Sequence, residues 1–313
     1  MPAFSATAPG KIILFGEHAV VYGRPAIAVP VDKVRARATV IPEPRAASGS
    51  VRIQAVDIGL DQLISELPAD NPLAAAVHAV FRAVGIQRSP AFTLRISSTI
   101  PQAAGMGSGA AVSVAAIRAV AAFLGRLLTD EQVSDLAYEV EKLYHGTPSG
   151  IDNTVITHNM PIYYVRSQPI QLLQVRQSFW LVIGDTGIKS PTSIAVGELR
   201  QAWQASPLIY EPLFDRVGEI TQLARRSIEN GESRDLGPLM DENHTLLQQM
   251  GVSSPELDRL CQVARQAGAL GAKLSGGGRG GNMIAVAAEE NAPQVAQALR
   301  AESAVRTITV RIK

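Results

Sequence analysis

The stretch PQAAGMGSGAA, residues 101–111, decides how this chain is read. Just before it, Phe92, Leu94 and Ile96 alternate with Thr93 and Arg95, the pattern of a strand with one buried face. An alanine- and valine-rich run, about Ser108 to Leu124, leaves it as a helix. A strand, a glycine loop and a helix in that order make an anion cradle. Glycines let backbone N–H groups approach an oxyanion, and the first helical turn adds unpaired donors and a positive dipole end. Ser108 stands where it would serve as the N-cap, as a ligand contact, or as both. The stretch is not a Walker A loop, because no Gly-Lys-Ser/Thr closes it. Gly105, Gly107 and Ala110 do match G-x-G-x-x-A. The opening of the chain is not parallel βαβ, however, and no acidic residue follows at a strand end about twenty residues on, so a dinucleotide fold is disfavoured.

A second glycine cluster lies between two strand-like runs. Residues 273–282 read KLSGGGRGGN, with Gly276, Gly277, Gly278, Gly280 and Gly281 close together. A plain hairpin needs one or two glycines, so this loop reads as backbone approached by a ligand or another loop. Around the two clusters, Ile12–Phe15, Ala26–Val29, Val34–Ile41, Ile162–Val175, Phe179–Asp185, Ala272–Ser275, Met283–Ala288 and Thr307–Ile312 read as strands. Asn71 and Pro72 open a helix that Gly85 stops, and Thr129 with Gln132 makes a capping box for the next. The segment from about Thr192 to Met250 is mostly helical, and Ser254-Pro255 opens a further helix. Strands and helices interleave without a regular βαβ cadence, which predicts an α+β fold in two parts, 1–176 and 177–313.

Composition narrows the classes. At 46% hydrophobic and 18% charged, 313 residues hold ample material for a core, so the chain is not disordered. Lys+Arg 29 against Asp+Glu 28 leaves a net charge of +1, which gives no case for nucleic acid or an anionic membrane as partner. Cys261 is the one cysteine, so neither a disulfide framework nor a thiolate cluster is available, and a cytoplasmic setting is expected. Residues 1–7 show no basic leader pattern. The most apolar stretch, Ala110 to Leu128, carries Arg118 and Arg126 and reads as a buried helix rather than a membrane span.

Several polar residues stand in suggestive places. Lys11 heads an apolar strand after Pro9-Gly10, either as a surface charge or as a placed cation. Glu17 and His18 follow that strand between Gly16 and Gly23, and no second histidine at ligand spacing supports metal binding by His18. Asp152 closes the turn-rich run HGTPSGID, residues 145–152, where acids commonly act as helix caps or turn formers. Glu139 and Glu141 flank the apolar stripe of the preceding helix on opposite edges, and periodicity does not choose between them.

Three segments taken together carry a resemblance. Residues 9–23 read PGKIILFGEHAVVYG, residues 101–115 PQAAGMGSGAAVSVA, and residues 272–282 AKLSGGGRGGN. In that order and spacing they resemble the three motifs of the GHMP small-molecule kinases. Within that family, the first motif and HGTPSGID are most similar to members that act on mevalonate. The resemblance implies a two-lobed α+β kinase fold with its site in the cleft between lobes, using ATP and Mg2+. ATP would rest on Gly105, Met106, Gly107, Ser108, Gly109 and Ala110. By motif position, Asp152 matches the catalytic aspartate and Lys11 the lysine beside it. His18 matches a substrate contact, with Glu17 in the polar network around it and Thr192 on the substrate side. Glu141, eleven residues before Asp152, matches the acidic magnesium ligand, with Ser108 as a second ligand, while Glu139 does not match. A second copy of the chain, as a homodimer, is the remaining partner expected.

The chemistry suits these residue types. Phosphoryl transfer to an alcohol needs alignment, charge neutralisation and an acceptor for the hydroxyl proton. A carboxylate such as Asp152 accepts that proton, and a neighbouring ammonium favours the developing alkoxide. Three positions depart from the family pattern: Gly109 replaces the second serine of the loop, Arg279 replaces a glycine, and Thr147 stands where asparagine is common. Two other readings follow from these departures and from the family's breadth. One is a different kinase of the family, such as one acting on phosphomevalonate, and the other is a non-catalytic binding protein on the same scaffold.

Overall fold

The computed structural model describes residues 3–68, 70–101, 104–145 and 148–313. The chain divides into two compact units: Met1–Lys11, Val34–Pro101 and Gly107–Asn159 form one, and Ile12–Lys33, Gln102–Met106 and Met160–Lys313 the other. Strands β1 (Phe4–Phe15) and β2 (Ala26–Pro42) each run from one unit into the other along their own length. The sequence suggested two separate strands at 26–29 and 34–41. They are continuous because Val31 and Val34 are buried at the join and keep the strand packed through it.

In the first unit, the second half of β2 pairs antiparallel with β5 (Phe92–Ser98), in register from Ala36↔Ser98 to Pro42↔Phe92. Strand β3 (Val51–Ala55) runs parallel to β5, and β4 (Leu60–Leu63) pairs antiparallel with β3. Neither β3 nor β4 was anticipated; both are short and follow a turn-rich connection, where a weak alternation of Val51, Ile53 and Ala55 is easily missed. Among the described residues of this unit, helices α1 (Pro72–Val84), α2 (Ser108–Phe123), α3 (Asp130–His145) and α4 (Ile151–His158) pack together. Helix α1 starts as its sequence predicts. The Asn71 carboxamide accepts from the N–H groups of Leu73 and Ala74, and Gly85 closes the helix in the left-handed region. The capping box holds too, with Thr129 N–H on Gln132 Oε1 at 3.0 Å and Gln132 N–H on Thr129 Oγ1 at 3.3 Å.

Helix α2 is buried on almost every face because alanine and valine let its neighbours approach closely. Its one charge, Arg118, reaches out to Asp130 at 2.6 Å and to the Thr157 carbonyl at 2.7 Å. No helix among the described residues is long and apolar enough to cross a membrane.

In the second unit, the first residues of β2 pair with β6 (Ile162–Tyr164), and β6 pairs with β7 (Gln171–Leu172). The long strand suggested over 162–175 is thus two short ones, broken where Ser167 adopts a positive φ. Strand β8 (Phe179–Asp185) is central to a four-stranded antiparallel sheet. Helices α5 (Thr192–Ala205), α6 (Pro207–Asn230), α7 (Leu236–Gln249) and α8 (Pro255–Gln266) follow. The chain then forms β9 (Gly271–Ser275), β10 (Asn282–Ala287), α9 (Ala292–Ala301) and β11 (Arg306–Ile312). The sheet order is β11-β8-β10-β9, with α7 and α8 covering β9 and α9 covering β8 and β11. The α+β class read from the sequence is the one the chain adopts, in two separate sheets.

Candidate active site

Lys11 lies within β1, and Asp152 sits in the first turn of α4, where a negative charge is favoured by the unpaired N–H groups. Helix α4 was read as a turn-rich stretch; Gly146 and Thr147, in front of it, lie outside the described residues. Asn153 anchors the helix to α3 by donating to the Ser134 carbonyl at 3.1 Å and to its hydroxyl at 2.9 Å. That anchor presents Asp152 to Lys11, with Nζ 3.0 Å from Oδ1. The lysine is therefore not a surface charge; it is buried.

Gly107 is what lets this pair form beside the glycine loop. A Cβ there would lie 2.9 Å from Lys11 Cγ, 2.9 Å from Ile156 Cδ1 and 3.3 Å from Asp152 Oδ2, and its φ of +69° is itself glycine-specific. Gly107, rather than Ser108, occupies the N-cap position of α2, which corrects the capping role suggested for Ser108. No side chain caps the helix, so its first N–H groups are open to an anion. Ser108 is half-buried in the first turn, while the side chains of Met106 and Ala110 are buried, leaving only their backbone for a ligand. Gly105 and Gly109 are exposed, and Gln102 and Ala103 lie outside the described residues.

The structure separates the two glutamates that periodicity could not. Glu139 is exposed and bonds Lys142 at 2.6 Å, whereas Glu141 is buried. Burial, and next the Asp152 carboxylate, push the Glu141 carboxyl up to about 7 against a weaker opposing pull from Lys11. Lys11, Asp152, Glu141, Gly107 and Ser108 thus belong to one unit.

Glu17, His18, Thr192 and the second glycine cluster belong to the other unit. His18 holds an uncommon backbone φ of +61° and is buried, with Nε2 3.0 Å from the Gly277 carbonyl oxygen. Burial lowers its pKa to about 4, with the Lys273 and Arg279 cations adding to the effect. Thr192, the exposed first residue of α5, crowds the same glycine. A Cβ on Gly277 would lie 3.0 Å from Thr192 Oγ1. The loop carrying His18 is fixed further along by Arg24, which reaches Glu211 at 2.5 Å and Asp215 at 2.7 Å on α6, and by Tyr22 stacked on Phe214. A cavity of about 360 Å3 borders that loop, lined by Tyr22, Arg24, Arg166, Arg200, Trp203 and Glu211. Arg279 is partly exposed to solvent. It pairs with Glu198 on α5.

Sequence reasoning missed Lys273, Arg166 and Arg200. Lys273 was hidden inside a motif read for its glycines, and the two arginines carry no pattern that links them before the chain folds.

Residues 71–159 match the GHMP kinases N terminal domain, and residues 224–304 match GHMP kinases C terminal. The chain belongs to the GHMP kinase family. A mevalonate kinase of Thermococcus sibiricus is 38% identical over 97% of this chain and 95% of its own length. Among solved structures, Methanococcus jannaschii mevalonate kinase superposes with a TM-score of 0.86 at 27% identity, covering 100% of this chain and 99% of that one. L. major mevalonate kinase, solved with R-mevalonate, gives 0.83 at 31% identity, covering 99% and 95%. GHMP kinases use ATP.

Between the ordinary carboxyl pKa and about 7, folded Glu141 holds a proton that the unfolded chain has released, so its contribution to stability grows as pH falls and is lost above 7. The melting temperature of the wild type minus that of Glu141→Gln should therefore rise from pH 8.5 to pH 6, by roughly 1 kcal/mol of stability. A pH-independent difference would contradict the assignment. Second, Gly107→Ala should cost activity at least about tenfold by displacing Lys11 and Asp152. Gly109→Ser meets nothing within 4 Å and should fold with stability raised by up to about 0.5 kcal/mol. Thermal melts and steady-state rates of the two variants check the contrast.

Proposed function

We infer that this chain transfers the γ-phosphoryl group of ATP to the 5-hydroxyl of (R)-mevalonate, giving 5-phosphomevalonate and ADP. The observation that carries this reading is the Lys11–Asp152 pair, packed against Gly107 at the uncapped start of α2. A base, a cation and an anion-binding helix end are the three parts that phosphorylation of an alcohol requires. The kinship with mevalonate kinases supplies the alcohol.

The chemistry then runs on this chain's own residues. Asp152 Oδ1 is committed to Lys11, and Oδ2 beside Gly107 takes the proton released as the hydroxyl oxygen bonds to phosphorus. Lys11 stabilises the negative charge developing on that oxygen. The N–H groups opening α2, with the backbone of Gly105 to Ala110, hold the phosphate oxygens of the nucleotide. By motif position we assign substrate contact to His18 and Thr192, and within their own unit Arg166 and Arg200 line a cavity that holds positive charge.

The donor chemistry also fits a divalent cation. Glu141 is a buried carboxylate next to another carboxylate, an arrangement that a hard cation relieves, and Ser108 offers a hydroxyl oxygen in the same unit. We propose Glu141 and Ser108 as its protein ligands, with water completing the shell where Gly109 offers no hydroxyl. When bound, magnesium neutralises phosphate charge.

Retention of the acid–base pair argues against a binding protein without catalysis. The test is Asp152→Asn, which should lower kcat by about 10²–10⁴-fold while nucleotide affinity by calorimetry changes little. Wild-type turnover in that variant would overturn the role of Asp152.

A further inference from the structure

Two glycines of the second cluster let the loop lie directly on other backbone of its own unit. A Cβ on Gly278 would lie 1.9 Å from the Val252 carbonyl oxygen, and one on Gly280 2.6 Å from the Ile188 carbonyl oxygen. The close approach is used for bonding: Arg279 N–H donates to the Val252 carbonyl at 2.9 Å, and Gly281 N–H to the Ile188 carbonyl at 2.9 Å. The Gly281 carbonyl accepts from both the N–H and the hydroxyl of Thr186, each at 2.9 Å. The strand entering the loop is held as well, by Lys273 on the Glu17 carboxylate and by Ser275 Oγ on the Ile13 carbonyl at 2.7 Å. Residue 282, where the loop becomes β10, is therefore a fixed point, paired with Ser275 on one side and Asp185 on the other.

Asn282 stands at that point and is buried. Its Nδ2 lies 2.6 Å from the Ala104 carbonyl oxygen, within the same unit. A carbonyl oxygen only accepts, so the nitrogen of the carboxamide is the atom that faces it. The peptide joining Ala104 to Gly105 is planar and trans, which puts its C=O and N–H on opposite sides. Holding the Ala104 oxygen therefore aims the Gly105 N–H away from Asn282. That N–H has no hydrogen-bond partner among the described residues, and Gly105 is exposed. Nothing stands within 4 Å of where a Cβ on Gly105 would be, so the space beside this backbone is open. A glycine at φ +69° has other conformations within easy reach, and the bond from a fixed side chain selects this one.

We propose that Asn282 is a positioning residue for the nucleotide: by holding the Ala104 carbonyl it orients the Gly105 N–H to donate to a phosphate oxygen. The proposal rests on the kinase reading above, in which the loop beginning at Gly105 receives the phosphates of ATP. An N–H only donates, so its partner must accept, and a charged acceptor gains most from a donor already in place. The second glycine cluster then acts on the nucleotide through the first, by way of one side chain.

The experiment measures the Kd of ATP by calorimetry and the KM of mevalonate at saturating ATP, for wild type and for Asn282→Leu. Leucine keeps the branched outline of asparagine and removes the donor. Loss of the aimed N–H should weaken ATP about 5- to 20-fold and leave the mevalonate KM within about twofold. A general disturbance of the loop would move both, because Gly277 in that loop lies against His18 and Thr192. A second measurement needs no variant of Asn282 to fold. With 13C at alanine carbonyls and 15N on glycine, only Ala-Gly links give an HNCO signal, and the chain has two, Ala104–Gly105 and Ala267–Gly268. Loss of one signal in Ala267→Ser identifies the other as the carbonyl that Asn282 holds and the N–H that it aims. Saturating ATP should move the Gly105 amide proton downfield in wild type, and a Gly105 signal that stays in place overturns the proposal. Wild-type ATP affinity in Asn282→Leu, or a parallel rise of the mevalonate KM, also overturns it and leaves the kinase standing. Absence of ATP binding and turnover in wild type refutes the kinase reading, and the proposal with it.

Discussion

An ammonium and a carboxylate 3.0 Å apart, largely removed from water, need a neighbour that adds no bulk, and Gly107 is that neighbour. The contact works in both directions. Without a side chain at 107, Lys11 and Asp152 close on one another and leave one carboxylate oxygen beside the backbone. Because residue 107 is a glycine at φ +69°, the chain can also turn directly from loop into helix without a capping side chain. The open N–H groups of α2 and the acid–base pair thus share one cause. The anchoring of α4 through Asn153 and the burial of Glu141 on α3 both serve the same small volume.

The second unit solves a different problem, which is to hold a loop of uncommon backbone geometry still. Arg24 and Tyr22 fix its far end on α6, and Lys273, Ser275 and Gly277 fix its near end on β9 and the glycine loop after it. Two of these contacts, those of Arg24 and Lys273, are ion pairs in a chain whose net charge is only +1. Arg24 and Lys273 are each placed against acids, and Arg166 and Arg200 line a cavity. A small anionic substrate calls for placement of this kind, whereas a polyanion would call for a basic surface.

Much of this was legible in the sequence, and the parts that were not share a reason. Helix α1, the capping box before α3 and the strands around the second glycine cluster were readable because caps, proline and periodicity are local signals. The first glycine loop was readable as an anion site for the same reason. Helix α4 was not, because a stretch holding Pro148, Ser149 and Gly150 looks like a turn until α3 gives Asn153 something to bind. Glu139 and Glu141 could not be told apart by periodicity, since only packing decides which edge of a stripe is covered. The family pattern chose Glu141, and the structure finds it buried. Lys273 escaped notice for the opposite reason: lysine is ordinarily solvated, and nothing local announces that α7 and α8 will cover it.

The central claim is that the Lys11–Asp152 pair and the α2 helix end phosphorylate mevalonate, and substrate choice tests it most directly. Release of ADP should be followed with ATP, magnesium and, in turn, mevalonate, phosphomevalonate, homoserine and galactose. The account predicts ADP in equal amount to 5-phosphomevalonate with mevalonate and background rates with the others. A preference for another alcohol, or no ADP with any of them, would contradict it.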